Sequence, residues 1–339
     1  MKTADRVHEL FLNYACNAKC PFCYNPPLTE ELLRLDLSFE QAAESLYAAA
    51  KTGARRLNLH GGEVTLRDDL PKILALARKL GFAQITLVTN GVRLSEPAYV
   101  AALKARGVTH ARLSIHGPDA ATHDKIVAIP GAFERVLKAV ANCRSAGLSL
   151  GVNFVLIRSN HRLLAAFVER FCLELSVDDL IVYFPHLRGM MAINADAEAL
   201  SYAEVSAPVR EAFALLSAAG KRESALLANF VPCALPELTD RMIDWSHGEG
   251  GQSSQIHPEG FAEDILAMKD EQRGKVPACR TCMYGNRCLG VEKEYQQVFG
   301  SQDFVALEEV SAERPKPARR RREDRQPGQR QPGKKRAVV

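Results

Sequence analysis

The sequence predicts an α/β fold, a partial (β/α)6 barrel followed by a small, loop-rich C-terminal domain. Short apolar runs and amphipathic helical segments alternate six times between residues 8 and 219, as expected of a parallel sheet flanked by helices. Polar or glycine-rich segments follow these apolar runs. After residue 220 the alternation ends, and four cysteines lie in a stretch rich in Gly, Pro and polar residues. A doubly wound open sheet is the alternative.

The six predicted strands and their helices follow one another without interruption. The strands are the runs HELFLNY, RRLNLH, QITLVTN, ARLSIHG, LSLGVNFVLI and DDLIVYF. The first helix has Ser38 as its N-cap and Gly53 at its end, and the second helix ends at Gly81. The other four helices are predicted over residues 96–106, 132–146, 161–175 and 202–219. Because a closed barrel of this type needs eight such units, six units predict a partial barrel.

Ordinary composition, without an apolar membrane segment or a signal peptide, predicts a cytoplasmic protein. The chain has 339 residues, of which 47% are hydrophobic and 25% charged, ordinary values for a globular protein. No apolar run reaches the ~18 residues that a membrane helix needs, and the first residues lack the apolar core of a signal peptide. In a reducing compartment, clustered cysteines are metal ligands or catalytic groups more often than disulfides.

The basic charge of the chain belongs to its C-terminal tail. Residues 312–339 contain eleven Lys and Arg and three Asp and Glu, whereas the rest of the chain contains 33 and 37. The tail is also Pro-rich and poor in apolar residues, which is typical of disorder. We therefore predict a barrel (1–220), a C-terminal domain (221–311) and a disordered basic tail (312–339). Recruitment of nucleic acid through phosphate contacts is one hypothesis for the tail.

Three cysteines lie close together in the loop after the first strand. The stretch CNAKCPFC sets Cys16, Cys20 and Cys23 at a CxxxCxxC spacing. Three thiolates suit an iron–sulfur cluster. When three cysteines hold four irons, one iron keeps an open coordination position, which is typical of a metal site that binds a substrate.

The other unusual polar segments also follow predicted strands. They are HGGEVT, TNG, SIHG, Asn153 with Arg158, and YFPHLRG, after strands two to six respectively. The carboxyl ends of parallel strands meet at one rim, where α/β enzymes carry their functional loops. In HGGEVT, Gly61 and Gly62 would let a ligand approach the backbone closely, and Glu63 would offer a carboxylate to an ammonium group.

The cysteine motif with Phe22 before its last cysteine, followed by GGE, resembles the radical S-adenosylmethionine (radical SAM) superfamily. The resemblance covers roughly residues 6–220 and implies a TIM-like partial barrel. It also implies that a [4Fe–4S] cluster on Cys16, Cys20 and Cys23 binds SAM. The reduced cluster of this superfamily cleaves SAM to methionine and a 5′-deoxyadenosyl radical, which abstracts hydrogen from a substrate.

The same resemblance assigns the contacts with SAM. The residues that it places there are Phe22, Gly61, Gly62, Glu63, Asn90, Ser114 and Asn153. Phe22 would lie against adenine and the GGE motif would hold the methionine end, while the last three are weaker candidates for the ribose or the carboxylate. Val64 stands where the superfamily more commonly has proline, which changes the stiffness of the loop but not these contacts.

A second cysteine set, Cys279-x2-Cys282-x5-Cys288 with Cys233 upstream, resembles the SPASM and twitch extensions of this superfamily. The larger SPASM form carries a further cysteine four positions after the third, where this chain has Glu292. The shorter twitch form, with one auxiliary [4Fe–4S] cluster on these four cysteines, therefore fits better. Structural zinc is the alternative at either cysteine set. The remaining cysteines, Cys143 and Cys172, fall within helical segments and are interpreted as core residues.

The resemblance implies an enzyme that works with a reductant such as flavodoxin or ferredoxin on a peptide or a small molecule, such as a cofactor precursor. Almost nothing precedes the first strand, so we expect no N-terminal module for holding a leader peptide, which counts slightly against a peptide. Two alternatives remain open. One is an RNA-modifying radical SAM enzyme recruited by the tail, and the other is a non-catalytic iron–sulfur or zinc redox sensor.

Overall fold

The computed structural model describes residues 6–247, 253–260 and 262–308, and a curved sheet is its main feature. Within these residues the sheet has the strand order β10-β9-β1-β2-β3-β4-β5-β6-β7-β8. The strands are β1 (Val7–Phe11), β2 (Arg56–His60), β3 (Gln84–Thr89), β4 (His110–Ser114), β5 (Ser149–Val155), β6 (Asp179–Tyr183), β7 (Ala225–Ala228), β8 (Met242–Ile243), β9 (Ser253–Ile256) and β10 (Ala262–Asp264). All neighbours are parallel except β9 and β10. The sheet curls into a half-barrel, which confirms the predicted partial barrel.

Helices connect the successive strands. They are α1 (Glu30–Leu33), α2 (Phe39–Lys51), α3 (Leu70–Lys79), α4 (Pro97–Ala105), α5 (Ala120–Val127), α6 (Ala132–Ser145), α7 (Leu164–Phe167, continued by a π-helix over Val168–Glu174), α8 (Met190–Ile193), α9 (Ala195–Glu198), α10 (Tyr202–Ala218), α11 (Ile265–Gln272) and α12 (Lys293–Phe299). α2 begins at the predicted cap, where Gln41 N donates to Ser38 Oγ (3.1 Å) and Ser38 N donates to Gln41 Oε1 (2.9 Å). None of the helices in the described segments is long and apolar enough to cross a membrane.

Each strand from β1 to β6 buries one face more completely than the other. In β2, Leu57 and Leu59 are fully buried in the core, whereas Asn58 and His60 are partly exposed. Successive side chains of a strand point to opposite faces, so the leucines pack outward against the helices and the polar residues line the inside of the barrel. The sheet therefore holds its polar side chains where a ligand could meet them.

Beyond α10 the structure contains strands that the sequence analysis did not predict. β7 and β8 extend the sheet past β6, and β9 pairs in parallel with β1 at the other edge. A further short pair, β11 (Arg273–Gly274) and β12 (Val291–Glu292), is antiparallel. These strands have only two to four residues, too few to show periodicity in a sequence.

The chain up to Leu307 forms one compact unit. The domain boundary at residues 220/221 remains a prediction, and the predicted disordered tail lies outside the described residues.

His8 joins three elements of the barrel and gives its stability a pH dependence. Its Nδ1 lies 3.1 Å from Ser254 Oγ of β9, and its Nε2 lies 2.8 Å from Ser45 Oγ of α2. Burial lowers the pKa of His8 from 6.5 to about 4, so the folded protein keeps this imidazole neutral where the unfolded chain already binds a proton. The free energy of unfolding should therefore fall as the pH is lowered through this interval.

We expect His8→Gln to flatten this dependence, measured as the free energy of unfolding in urea at about pH 7 and about pH 5. The matched control is His247→Gln, because the side chain of His247 is 47% exposed. The control should keep the slope of the unaltered chain. An unchanged slope in His8→Gln would show that His8 is not the group responsible.

Candidate functional site

The three N-terminal cysteines lie on the loop that leaves β1 at the carboxyl-end rim of the sheet. Their thiols are free, and each residue is partly exposed. Main-chain hydrogen bonds to distant segments fix the loop: Lys19 N donates to Val127 O (2.9 Å), and Met190 N donates to Cys23 O (2.9 Å). The loop is thus held from two sides by the barrel.

These three thiols are close enough to affect one another's ionisation. Burial raises the pKa of Cys20, and the charges of Cys23 and Cys16 raise it further. Burial also raises the pKa of Cys16 to about 11, with Glu63 and Cys23 adding to the rise. Neighbouring thiolates repel one another unless a metal centre compensates their charge. The donor set therefore fits an iron–sulfur cluster. No three His, Cys, Asp or Glu side chains of the described chain form a group that could hold a single metal ion.

Gly61 and Gly62 allow the loops after β1 and β2 to meet. A Cβ atom on Gly62 would lie 2.3 Å from Ala15 O, and one on Gly61 would lie 2.6 Å from Asn13 O, well inside van der Waals contact. Gly62 N donates to Asn13 O (2.5 Å), and Glu63 N donates to Ala15 O (2.8 Å). The approach of the cysteine loop thus requires both glycines, a reason that the sequence analysis did not find.

The Glu63 carboxylate is buried at the same rim, with 1% of the residue exposed. Its Oε1 accepts hydrogen bonds from Thr65 N (3.1 Å), Thr65 Oγ1 (2.6 Å) and Thr89 Oγ1 (2.6 Å). Its Oε2 accepts one from Asn90 N (2.8 Å). A carboxylate can accept about four hydrogen bonds. The Glu63 carboxylate already accepts four from donors of the protein. The carboxylate joins the loops after β2 and β3, and its binding of an ammonium group remains a prediction.

Asn90, Ser114 and Asn153 lie at this rim on or after three successive strands. Asn90 follows β3, and its Nδ2 donates to Asn17 Oδ1 (2.7 Å) in the cysteine loop. Ser114 and Asn153 are register partners in β4 and β5, and both are half-buried. The sheet thus brings all three to the end of the barrel that carries the cysteines.

Phe22 packs against His116, which follows β4. The two ring centroids are 4.5 Å apart in an edge-to-face arrangement. His116 is 2% exposed, and its Nδ1 accepts a hydrogen bond from Val155 N (3.3 Å). Burial, aided by the charge of His123, holds the pKa of His116 well below its ordinary value. This neutral histidine thus supports the ring of Phe22, which belongs to the cysteine loop.

Four more cysteines lie in the C-terminal part of the chain. Cys233 follows β7, and Cys279, Cys282 and Cys288 lie between β11 and β12. All four thiols are free, and the residues are partly exposed. Burial raises the pKa of Cys233 to about 12, and the charges of the other three cysteines raise it further. Cys233 therefore lies within electrostatic range of the other three, although it is distant from them in sequence.

Cationic and hydrogen-bond-donating groups lie around Cys288 of this second set. Gly290 N donates to Cys288 Sγ (3.3 Å), and Lys275 Nζ donates to Cys288 O. The groups beside Cys288 that are buried and lack a hydrogen-bond partner among the described residues are Trp245 Nε1, Ser246 Oγ and Arg273 NH2. Buried polar groups without a partner are rare, and an anionic cluster on the four thiolates would bring acceptors to this region. The surroundings therefore fit such a cluster.

A histidine–carboxylate pair connects the two cysteine sets. His186, in the loop after β6, has its Nδ1 2.5 Å from Glu292 Oε1 and its Nε2 3.0 Å from Asn229 Nδ2. Burial opposes ionisation of Glu292, yet its pKa is lowered because His186 and two arginines lie near it. The same loop continues to Met190, whose main-chain N–H donates a hydrogen bond to Cys23 O. Sequence analysis missed this pair, because only the tertiary structure brings the two residues together.

The inside of the barrel is polar, another feature that the sequence analysis did not predict. Polar contacts cross between its strands: Arg112 NH2 lies 2.5 Å from Asp179 Oδ1, and His60 Nε2 lies 3.4 Å from Glu9 Oε2. The sequence carried a partial signal for this face, because Arg112 stands between Ala111 and Leu113, at alternate positions of a strand. The barrel thus offers charged and hydrogen-bonding groups below the cysteine rim.

Comparisons with known proteins show which family and which fold the chain resembles. Residues 11–168 match the family model described as the Radical SAM superfamily. Two curated relatives named PqqA peptide cyclase, from Xanthomonas euvesicatoria pv. vesicatoria (strain 85-10) and Xanthomonas axonopodis pv. citri (strain 306), are each 36% identical over 151 residues. Each match covers 44% of this chain and 40% of the relative, so the likeness spans about two fifths of the relatives' length.

Solved structures share the fold over a longer stretch. The crystal structure of Streptococcus suis SuiB superposes with a TM-score of 0.63 at 17% identity, covering 88% of this chain and 76% of that one. The structure of native anSMEcpe with bound AdoMet has a TM-score of 0.61 at 13% identity, with coverages of 88% and 95%. At such identities the likeness shows the fold alone.

Proposed function

Since this chain belongs to the radical SAM superfamily, we propose that it reduces and cleaves SAM and uses the resulting radical to abstract hydrogen from a substrate. The observation that carries the proposal is the direct contact between the CxxxCxxC loop and the GGE loop. Gly62 N and Glu63 N both donate to carbonyl groups that lead into the cysteine loop. Both motifs therefore face the same ligand position.

In this proposal Cys16, Cys20 and Cys23 hold a [4Fe–4S] cluster with one open iron. When bound, the cluster supplies the electron that splits the sulfonium C–S bond of SAM into methionine and a 5′-deoxyadenosyl radical. The chain orients SAM for this step. Phe22 would lie along the adenine, with His116 fixing the angle of its ring.

The GGE loop would bind the methionine end of SAM. Because the Glu63 carboxylate already accepts four hydrogen bonds, we assign the ammonium contact to main-chain carbonyl oxygens of Gly61, Gly62 and Glu63, since an ammonium group only donates. The carboxylate would act by holding the two rim loops together. Contacts with the ribose or the carboxylate of SAM are assigned to Asn90, Ser114 and Asn153.

We further propose that residues 221–311 form a twitch-type extension with an auxiliary [4Fe–4S] cluster. The mutual influence of its four cysteines and the unpaired donors around Cys288 support this assignment. Four cysteine ligands leave no iron open, so the cluster would pass electrons or shape the site. Glu292, at the position of the additional SPASM cysteine, would instead anchor this segment to His186.

A peptide is the substrate class that we propose. The curated relatives are named as peptide cyclases, and the polar interior of the barrel suits a substrate with charged or amide groups. The reductant would be a flavodoxin or ferredoxin, and the cytoplasm is the proposed location. The hypothesis that the tail recruits nucleic acid concerns residues 312–339, which lie outside the described residues.

Anaerobic reconstitution tests this function. Loaded with iron and sulfide and given SAM and dithionite, the full chain should carry about eight irons and release methionine and 5′-deoxyadenosine in equal amounts. The double variant Cys279→Ala/Cys282→Ala should retain about four irons and still show a SAM-induced change in the EPR spectrum of the first cluster. Fully loaded protein that forms no 5′-deoxyadenosine would refute the proposal.

A further inference from the structure

Arg112 places a positive charge inside the barrel, and the proposed function gives this residue no role of its own. Its side chain, on β4, is 16% exposed, and its NH2 lies 2.5 Å from Asp179 Oδ1 on β6. Its NH1 donates to Asn153 Oδ1 on β5 (3.3 Å). One guanidinium thus ties together side chains from three neighbouring strands.

The register of the sheet explains how Arg112 reaches across β5. Arg112 pairs with Gly151, and Gly151 pairs with Asp179. A Cβ atom on Gly151 would lie 2.8 Å from both carboxylate oxygens of Asp179, so any larger residue would block the ion pair. Asn153 stands two positions further along β5 towards the rim, on the same face. The four residues therefore form one arrangement that depends on the glycine.

The chemistry of the guanidinium sets the orientation of the Asn153 amide. Arginine only donates hydrogen bonds, so the atom that it contacts must be the amide oxygen. The two N–H donors of this amide make no hydrogen bond to another described residue, and Asn153 is half-buried. They lie at the rim beside Ser114, the register partner of Asn153. A donor pair is thus oriented by the protein and left available to a ligand.

We infer that Arg112, held by Asp179, is a positioning residue that turns the N–H donors of Asn153 towards an oxygen acceptor of bound SAM. The acceptor is a ribose oxygen or the carboxylate. The inference rests on the proposed function, because it needs SAM at the cysteine rim. It predicts that Arg112 affects SAM binding only through Asn153, whereas a purely structural arginine would affect folding instead.

The experiment measures SAM affinity on the cluster-loaded full chain, from the EPR change that SAM causes, together with the melting temperature. Asn153→Ala should weaken SAM binding about tenfold, the worth of one hydrogen bond to a polar or charged group. Arg112→Met combined with Asp179→Asn, which avoids an unpaired carboxylate, should weaken it by a similar factor because the amide is free to turn. Asn153→Asp keeps the contact with Arg112, lacks the donors, and should also bind weakly while melting normally.

The decisive measurement combines the changes. Adding Asn153→Ala to the Arg112/Asp179 double variant should cost no further affinity, because both changes remove the same contact. Arg210→Met, which breaks an exposed ion pair with Glu237 (2.6 Å), is the control and should bind SAM normally. The inference is overturned if the Arg112/Asp179 variant binds SAM as tightly as the unaltered chain, or if the two losses multiply. A wild-type chain that neither responds to SAM nor cleaves it would instead overturn the proposed function itself.

Discussion

Cys20→Ala protein is expected to form no detectable 5′-deoxyadenosine and to lose about four of its eight irons. Cys20 is the middle ligand of the proposed set, and the charges of Cys16 and Cys23 both act on it. Two cysteines without the third would leave a second iron without protein ligand, so the cluster would be lost rather than weakened. The measurements are iron content and product formation under reducing, oxygen-free conditions.

The matched control for this experiment is Cys143→Ala. Cys143 is a free thiol on α6 with none of its surface exposed, and it belongs to neither cysteine set. Its variant should keep all the iron and the cleavage activity. If Cys20→Ala retained both as well, the ligand assignment at the N-terminal loop would be wrong.

Glu63→Gln is expected to lose most of its SAM affinity and to unfold more easily. A glutamine has one oxygen, so its NH2 group must face either the Asn90 N–H or the donors of Thr65 and Thr89. A buried donor then lacks an acceptor, which costs about 1–3 kcal/mol. Because the carboxylate joins the loops after β2 and β3, the same change displaces Asn90 and the GGE backbone. The measurements are urea unfolding of the metal-free chain and SAM binding by the loaded chain.

Glu223→Gln is the control for the charge change, because the Glu223 side chain is 74% exposed. Its free energy of unfolding should stay within about 0.5 kcal/mol of the original, with SAM binding intact. A Glu63→Gln protein of normal stability and affinity would show that the buried hydrogen bonds do not position the rim.

Local patterns predicted much of the barrel and of the site. The runs around Leu10, Leu57 and Leu113 became parallel strands because they are apolar and short, and Ser38 begins α2 because its hydroxyl caps the helix. The cysteine spacing and the GGE motif could also be recognised in the sequence, because each motif lies within a few consecutive residues. The rim was predictable because parallel strands end at one edge of a sheet.

Contacts between distant segments were not predictable in this way. β7 to β9 are too short to carry a periodic pattern, yet they extend both edges of the half-barrel. The commitment of the Glu63 carboxylate to the loops after β2 and β3, and the pairing of His186 with Glu292, depend on residues that only folding brings together.

By itself the sequence determined the order of the strands and their main helices up to α10 and the spacing within both cysteine sets, because spacing and periodicity are properties of neighbouring residues. The tertiary structure alone decided which polar groups face one another, as Gly151 illustrates. In the sequence it is a glycine within a predicted strand, and in the sheet it is the gap through which Arg112 reaches Asp179. Such a role arises from strand register, which is set by the packing of the whole barrel.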